Sequence, residues 1–226
     1  MALIKWGKAV ALGLATIASP ILAETAECPT PGVRVEYSDG KDADLVCAAV
    51  ADAVNGLALC ELPALPARLH IEIVDGITDG CVGLYHCGEA WIEVLSPSAM
   101  TDRRDPDSAL GFLDDDAYFK SVVVHEVTHA ATADVPCPIR ECVVSDEYVA
   151  YAMQILSLRS DGARSFAEHP DDSAPAPSGD LNGLFLRLAP DRFARAVWGH
   201  LARRDDPCAF IRGLTDRTIL LDRERF

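Results

Sequence analysis

Residues 121 to 133, SVVVHEVTHAATA, decide the fold, because two readings compete for them. The β-branched run Val122, Val123, Val124 favours a strand on propensity alone. Against it, Tyr118, Val122 and Val123 continue an apolar stripe into Ala130, and Ala130, Ala131 and Ala133 are strong helix formers. Asp114, Asp115 and Asp116 stand where they can cap a helix and meet the positive end of its dipole. The run lacks the spaced Asp/Asn and Gly pattern of a calcium loop. The stretch therefore predicts a helix over about 117–133.

That choice decides what HEVTH (125–129) can do. In a helix, residues four apart share a face and differ by about 6 Å in rise, so His125 and His129 can converge on one ion. In a strand the same two residues would stand about 13 Å apart. Both ring nitrogens must come within about 2.0–2.1 Å of a zinc ion, so only the helix permits joint ligation. Glu126 projects beside the pair, where it can take a proton from a water and pass it to a leaving amine. Two histidines four apart with a glutamate after the first form the HExxH pattern of zinc peptidases.

Outward from the motif, the preceding half alternates strands with one helix. VRVEY (33–37) and RLHIEIV (68–74) alternate apolar and polar residues, and AWIEVLSP (90–97) reads as a third strand ended by Pro97. From Asp42 to about Leu59, Leu45, Ala49, Val50, Ala53, Val54 and Leu57 recur at helical period, until Pro63 and Pro66. Residues 101–116 read as an acidic loop. After the motif the expected helices span about 144–159, 181–188, 190–204 and 207–214, with HPDDSAPAPSGD (169–180) as a surface loop. No internal repeat is visible. The expected class is α+β: a small mixed sheet, a zincin-like active-site helix, and a helical C-terminal half.

Composition narrows the function classes. Of 226 residues, 50% are hydrophobic, enough for a core, and 20 Lys plus Arg face 35 Asp plus Glu for a net charge of −15. Nucleic acid is excluded as a first candidate, since its binding rests on basic residues. MALIKWGKAVALGLATIASPILA (1–23) has Lys5 and Lys8, an apolar stretch to Ala23 and small residues before Glu24, the pattern of an export signal cut after Ala23. The stretch holds Pro20 and falls short of the ~20 apolar residues that span a bilayer. Thr25, Ala26 and Glu27 ahead of Cys28 do not suit lipid modification. Residues 24–226 are then one catalytic domain, 24–133 the sheet and motif helix and 134–226 the helical half, with 18 basic and 35 acidic residues and a net −17. The expected location is secreted or periplasmic, with no membrane span after signal removal.

Eight cysteines remain in that chain, an even number that in an exported protein points to disulfides and no free thiol. Proximity pairs Cys81 with Cys87 across CVGLYHC, read as a hairpin, and Cys137 with Cys142 across CPIREC. The other four are left open.

The third ligand sorts the zinc-peptidase classes. A metzincin needs a glycine and a histidine where Thr132 and Val135 stand. Glu147, in VVSDEYVAYAMQ, lies 18 residues beyond His129 at the start of the next helix. Glu141 and Asp134 are weaker candidates, and Asp146 and Glu147 also suit a helix's first turn as simple charges. With HEVTH (125–129) and EYVAY (147–151), the middle third of the chain resembles the gluzincins, the thermolysin-like peptidases. That resemblance implies zinc held by His125, His129 and Glu147, with Glu126 as general base and acid. It implies AWIEV, with Trp91, Ile92, Glu93 and Val94, as the edge strand on which an extended peptide substrate pairs. Thermolysin carries an aspartate four residues past its glutamate ligand; Tyr151 stands there. The linker with CPIREC then pins two helices in a compact variant.

Tyr148, Tyr151, His169 and His200 are the downstream groups available to stabilise an oxyanion, Tyr151 first by position, with core packing as its competing role. His70 and His86 read as ordinary strand and hairpin residues. Two functions follow: an exported zinc metallopeptidase, or a secreted disulfide-rich binding or structural protein on an inactive peptidase-like scaffold.

Overall fold

The computed structural model describes residues 23–158 and 178–222. Residues 1–22 of the expected export signal, residues 169–177 of the expected surface loop and with them His169 lie outside the described residues.

The chain runs β1 (Glu24–Glu27), β2 (Val33–Tyr37), α1 (Gly40–Leu59), β3 (Leu69–Val74), β4 (Gly83–His86), β5 (Trp91–Leu95), α2 (Pro97–Arg103), α3 (Asp115–Thr132), α4 (Val143–Leu156), α5 (Gly183–Leu188), α6 (Pro190–Leu201) and α7 (Pro207–Thr215). This is an α+β fold with one mixed sheet, in the order β1-β2-β3-β5-β4. The three central strands are parallel, and β1 and β4 join antiparallel at the two edges.

Strand alternation works as the sequence suggests. Val33, Val35, Leu69, Ile71, Ile92 and Val94 are all buried on the face that α1 and α3 cover. The opposite face carries Arg34, Glu36, His70, Glu72, Trp91 and Glu93 in register. Asp39 caps α1 by accepting from the Lys41 main-chain N–H, and its buried stripe of Ala43, Val46, Val50, Ala53 and Leu57 packs along α3.

The helix α3 forms despite its valines because it is enclosed between the sheet, α1 and α4. Val122, Val123 and Val124 are 5%, 0% and 1% exposed. Burying each one gives about 1.5 kcal/mol or more, against a helix-propensity cost of at most about 0.7 kcal/mol, so packing wins. Asp114 caps the helix by accepting from Ala117 N–H at 2.8 Å, with Asp115 and Asp116 in its first turn.

Two elements, α2 and β1, are absent from the sequence expectation. Pro97 ends the strand but also starts α2, as proline does at a first helical position, so residues 97–103 are helix and the acidic loop is shorter. The strand β1 has no apolar alternation to betray it.

Three disulfides are formed among the described residues: Cys28–Cys47, Cys60–Cys208 and Cys137–Cys142. The last was expected and closes the connection from α3 to α4. The expected Cys81–Cys87 bridge is corrected: the two sulfurs are not bonded to each other, and Cys87 is an exposed thiol. Within CVGLYHC the strand β4 runs from Gly83 to His86 and pairs with β5, so the segment is one arm of a hairpin and not a hairpin in itself. An extended segment advances about 3.3 Å per residue, which carries its ends beyond the ~7 Å Cα limit of a disulfide.

Candidate metal centre

His125 and His129 project from one face of α3 with Nε2 atoms 3.1 Å apart. Glu147, in the second turn of α4, brings Oε2 to 3.4 Å from His125 Nε2 and Oε1 to 3.6 Å from His129 Nε2. One ligand atom from each of the three lies within 4.8 Å of the others, the only such grouping of three or more His, Cys, Asp or Glu among the described residues. The competing acids sit elsewhere: Asp134 and Glu141 are exposed, and Asp146 forms a 2.7 Å ion pair with Arg217.

The electrostatics follow from burial and proximity. Burial and the charge of His125 pull the His129 pKa down to about 4, opposed by Glu147. Burial also acts to discharge His125, but Glu147, Glu126 and Gln154 outweigh it and hold its pKa above the usual value. Glu147 stays below the carboxylate range because the two imidazoles overcome its burial. Glu126 goes the other way, raised by burial and by Glu147.

Glu126 reaches across to the sheet. Its Oε2 accepts from the Tyr85 main-chain N–H of β4 at 2.9 Å. Gly83, two residues earlier, leaves the space it occupies: a Cβ there would lie 2.8 Å from Glu126 Cγ and Oε1.

The strand facing the site is β4, which corrects the expectation for Trp91, Ile92, Glu93 and Val94. These belong to β5, which is flanked by β3 and β4 and has no free edge. Ile92 and Val94 are fully buried, while Trp91 and Glu93 turn to the other face, where the Trp91 ring stacks on His86 at 3.9 Å. The ladder bond from Leu95 N–H to Val82 C=O sets the alternation that turns the Gly83 and Tyr85 main-chain groups outward.

Tyr151 stands one turn past Glu147, its ring edge-on to His125 at 4.6 Å, and lines the cleft with its hydroxyl pKa raised by burial and by Glu147. Tyr148 is instead fully buried, bonded through its hydroxyl to His200 Nδ1 at 2.7 Å. His70 pairs with Glu36 at 3.6 Å, and His86 with Glu93 at 2.7 Å, both on the outer sheet face. The cleft, of about 750 Å³, is lined along α3 at Tyr118, Val122, His125, Glu126, His129 and Thr132.

Two residues escaped the sequence reading. Gln154 Oε1 accepts from His125 Nδ1 at 3.0 Å, and its amide nitrogen donates to Ser121 Oγ at 3.2 Å. A lone polar residue in the apolar run AYAMQIL, seven past Glu147 and so on its face, was the available signal. Asp222 accepts from Val144 N–H at 2.7 Å and from Ser145 N–H at 3.0 Å, capping α4 from a distance. Cys142, at the local cap position, makes no side-chain capping hydrogen bond. Nothing in the local sequence marks a cap supplied from 77 residues away.

Residues 33–224 match the model of a family of unknown function, DUF6639, and the chain belongs to that family. No curated protein and no solved structure matches it.

Proposed function

We propose that this DUF6639 chain is an exported zinc-dependent peptidase. The observation that carries the reading is the spacing of the donor set. Around an ion bound at about 2.0–2.1 Å, the edge of a tetrahedron is about 3.3–3.4 Å. The two Nε2 atoms stand 3.1 Å apart, Glu147 Oε2 lies 3.4 Å from His125 and Oε1 3.6 Å from His129, and one donor atom from each residue lies within 4.8 Å of the other two, close enough for one ion to gather them. Two imidazoles and one carboxylate are a donor set that leaves a fourth position open, as hydrolytic zinc requires.

Zinc bound there supplies Lewis acidity for a peptide carbonyl and for water. The remaining steps belong to the chain. Glu126, with its raised pKa, takes a proton from the attacking water and returns it to the leaving nitrogen. Tyr85 N–H orients that carboxylate. The outward main chain of β4 offers an extended peptide its pairing edge, in place of AWIEV. Tyr151 presents a hydroxyl kept protonated at neutral pH, suited to donate to an oxyanion. Export accords with the leader pattern at residues 1–23 and with the disulfides.

Elemental mass spectrometry of chelator-free, disulfide-intact protein tests the site. About one zinc per chain, lost in His125→Ala, is expected. Glu126→Gln then keeps the zinc and loses hydrolysis of casein or quenched peptides. A chain that takes up no zinc returns the protein to the class of binding scaffolds.

A further inference from the structure

We infer that Gln154 is a positioning residue that fixes the tautomer of His125 and so aims its Nε2 lone pair at the shared site. The inference rests on the metal reading above for its purpose, though not for its geometry. Glu147, Tyr151 and Gln154 follow one another at four and three residues along α4, on the face turned to α3. Gln154 and Ser121 are 3% and 1% exposed, so solvent does not complete their hydrogen bonds.

The polarity of the relay follows from its far end. Ser121 Oγ lies 2.8 Å from the Tyr118 carbonyl oxygen. Two oxygens so close need a proton between them, and only the hydroxyl has one. Ser121 therefore donates to Tyr118 and offers lone pairs to Gln154, whose amide nitrogen donates at 3.2 Å. That orientation leaves Oε1 facing His125 Nδ1 at 3.0 Å. An amide oxygen only accepts, so Nδ1 carries the ring proton and Nε2 is the free lone pair. Rotating the amide by half a turn would bring Oε1 against a hydroxyl oxygen whose proton is already engaged.

An amide does this work differently from a carboxylate. It orients the ring without adding negative charge behind it, so the imidazole is a weaker base than one backed by an acid. Glu147 then contributes the single negative charge among the three ligands. Gln154→Glu is expected to tighten zinc binding, and Gln154→Met, similar in length but without the acceptor, to weaken it by about 10–100-fold.

Two measurements on the whole mature chain test this. The first is a long-range proton–nitrogen-15 correlation spectrum of zinc-free protein at a pH where histidine is neutral, which reads the tautomer without metal. The wild type and Gln154→Glu should show His125 protonated at Nδ1, and Gln154→Met a shift toward the Nε2–H form. The second is zinc affinity by competition with a chromophoric chelator, in the order Glu, Gln, Met from tightest to weakest. Ser121→Ala, which removes the far end of the relay, should move both readouts in the same direction as Met and serves if Gln154→Met does not fold. An Nε2–H wild type, or a folded Gln154→Met with wild-type tautomer and zinc affinity, overturns the inference. An Nδ1–H wild type that takes up no zinc keeps the relay and removes the peptidase reading.

Discussion

The Tyr85 main-chain N–H donates to Glu126 Oε2 at 2.9 Å, tying the sheet edge to a carboxylate of α3, the helix that carries His125 and His129. The contact exists because residue 83 has no side chain. A methyl there would sit 2.8 Å from Glu126 Cγ and 3.0 Å from Val122 Cγ1. Gly83→Ala should therefore displace Glu126 or push β4 from α3, at about 1–3 kcal/mol for overpacking. Zinc content should survive while peptide hydrolysis falls at least tenfold. Normal turnover in a folded Gly83→Ala protein would show that the carboxylate does not need this seat.

Cys87 opens the turn after β4, exposed and lining the cleft. Iodoacetamide added to unreduced protein should label it, and peptide mapping should place the label there. Cleft blockage should follow, so labelled protein loses hydrolysis and Cys87→Ser is immune. Absence of label at Cys87 would mean the turn is covered in solution.

How much of this was legible depends on where each signal lies. The pairing of His125 with His129 needs only four residues of helix, and Glu147 follows in the first turns of the next one. Both are local: the histidines share a helix face as their spacing requires, and Glu147 stands near the start of the next helix, where the gluzincin resemblance looks for it. The sheet edge was not legible. AWIEV reads as a strand and CVGLYHC as a hairpin, and that the latter supplies the outermost strand is a matter of topology that no local pattern carries. The same holds for the cap from Asp222, whose acceptors and donors are joined only by the fold. The Cys81–Cys87 expectation failed because it rested on proximity along the sequence, whereas β4 between the two runs extended and its Gly83 admits Glu126.

His200 gives the fold a pH dependence of its own. Its Nδ1 meets the Tyr148 hydroxyl at 2.7 Å, and its Nε2 accepts from Arg204 at 2.6 Å. Burial, with Arg204 and Arg203 nearby, lowers its pKa to about 4. The unfolded chain has a histidine near about 6.5, so between those values it binds more protons than the native state. Stability from this group is complete above about pH 6.5 and declines as pH falls through about 4. Urea midpoints of wild type and His200→Gln, compared across that window, should converge or cross toward acid. A constant gap would mean His200 titrates alike in both states.

The helix that carries Glu147 begins without a cap of its own. Asp222 supplies one, accepting from Val144 N–H, Ser145 N–H and the Ser145 hydroxyl, the last at 2.6 Å. Leu221 N–H donates back to the same hydroxyl at 3.0 Å, and Arg217 holds Asp146 alongside. Ser145 is fully buried, so the loss of Asp222 strands its hydroxyl as well as the helix amides. Asp222→Ala should cost about 1–3 kcal/mol, from a missing cap and buried donors left unmade. Glu147 lies two residues further on, so fraying of that turn should also weaken zinc binding. Asp222→Asn, which keeps one acceptor oxygen, should fall between. Thermal melts and chelator competition on the three proteins separate the two effects. A lowered melting temperature with unchanged zinc affinity would show that packing against α3 alone holds Glu147 in place.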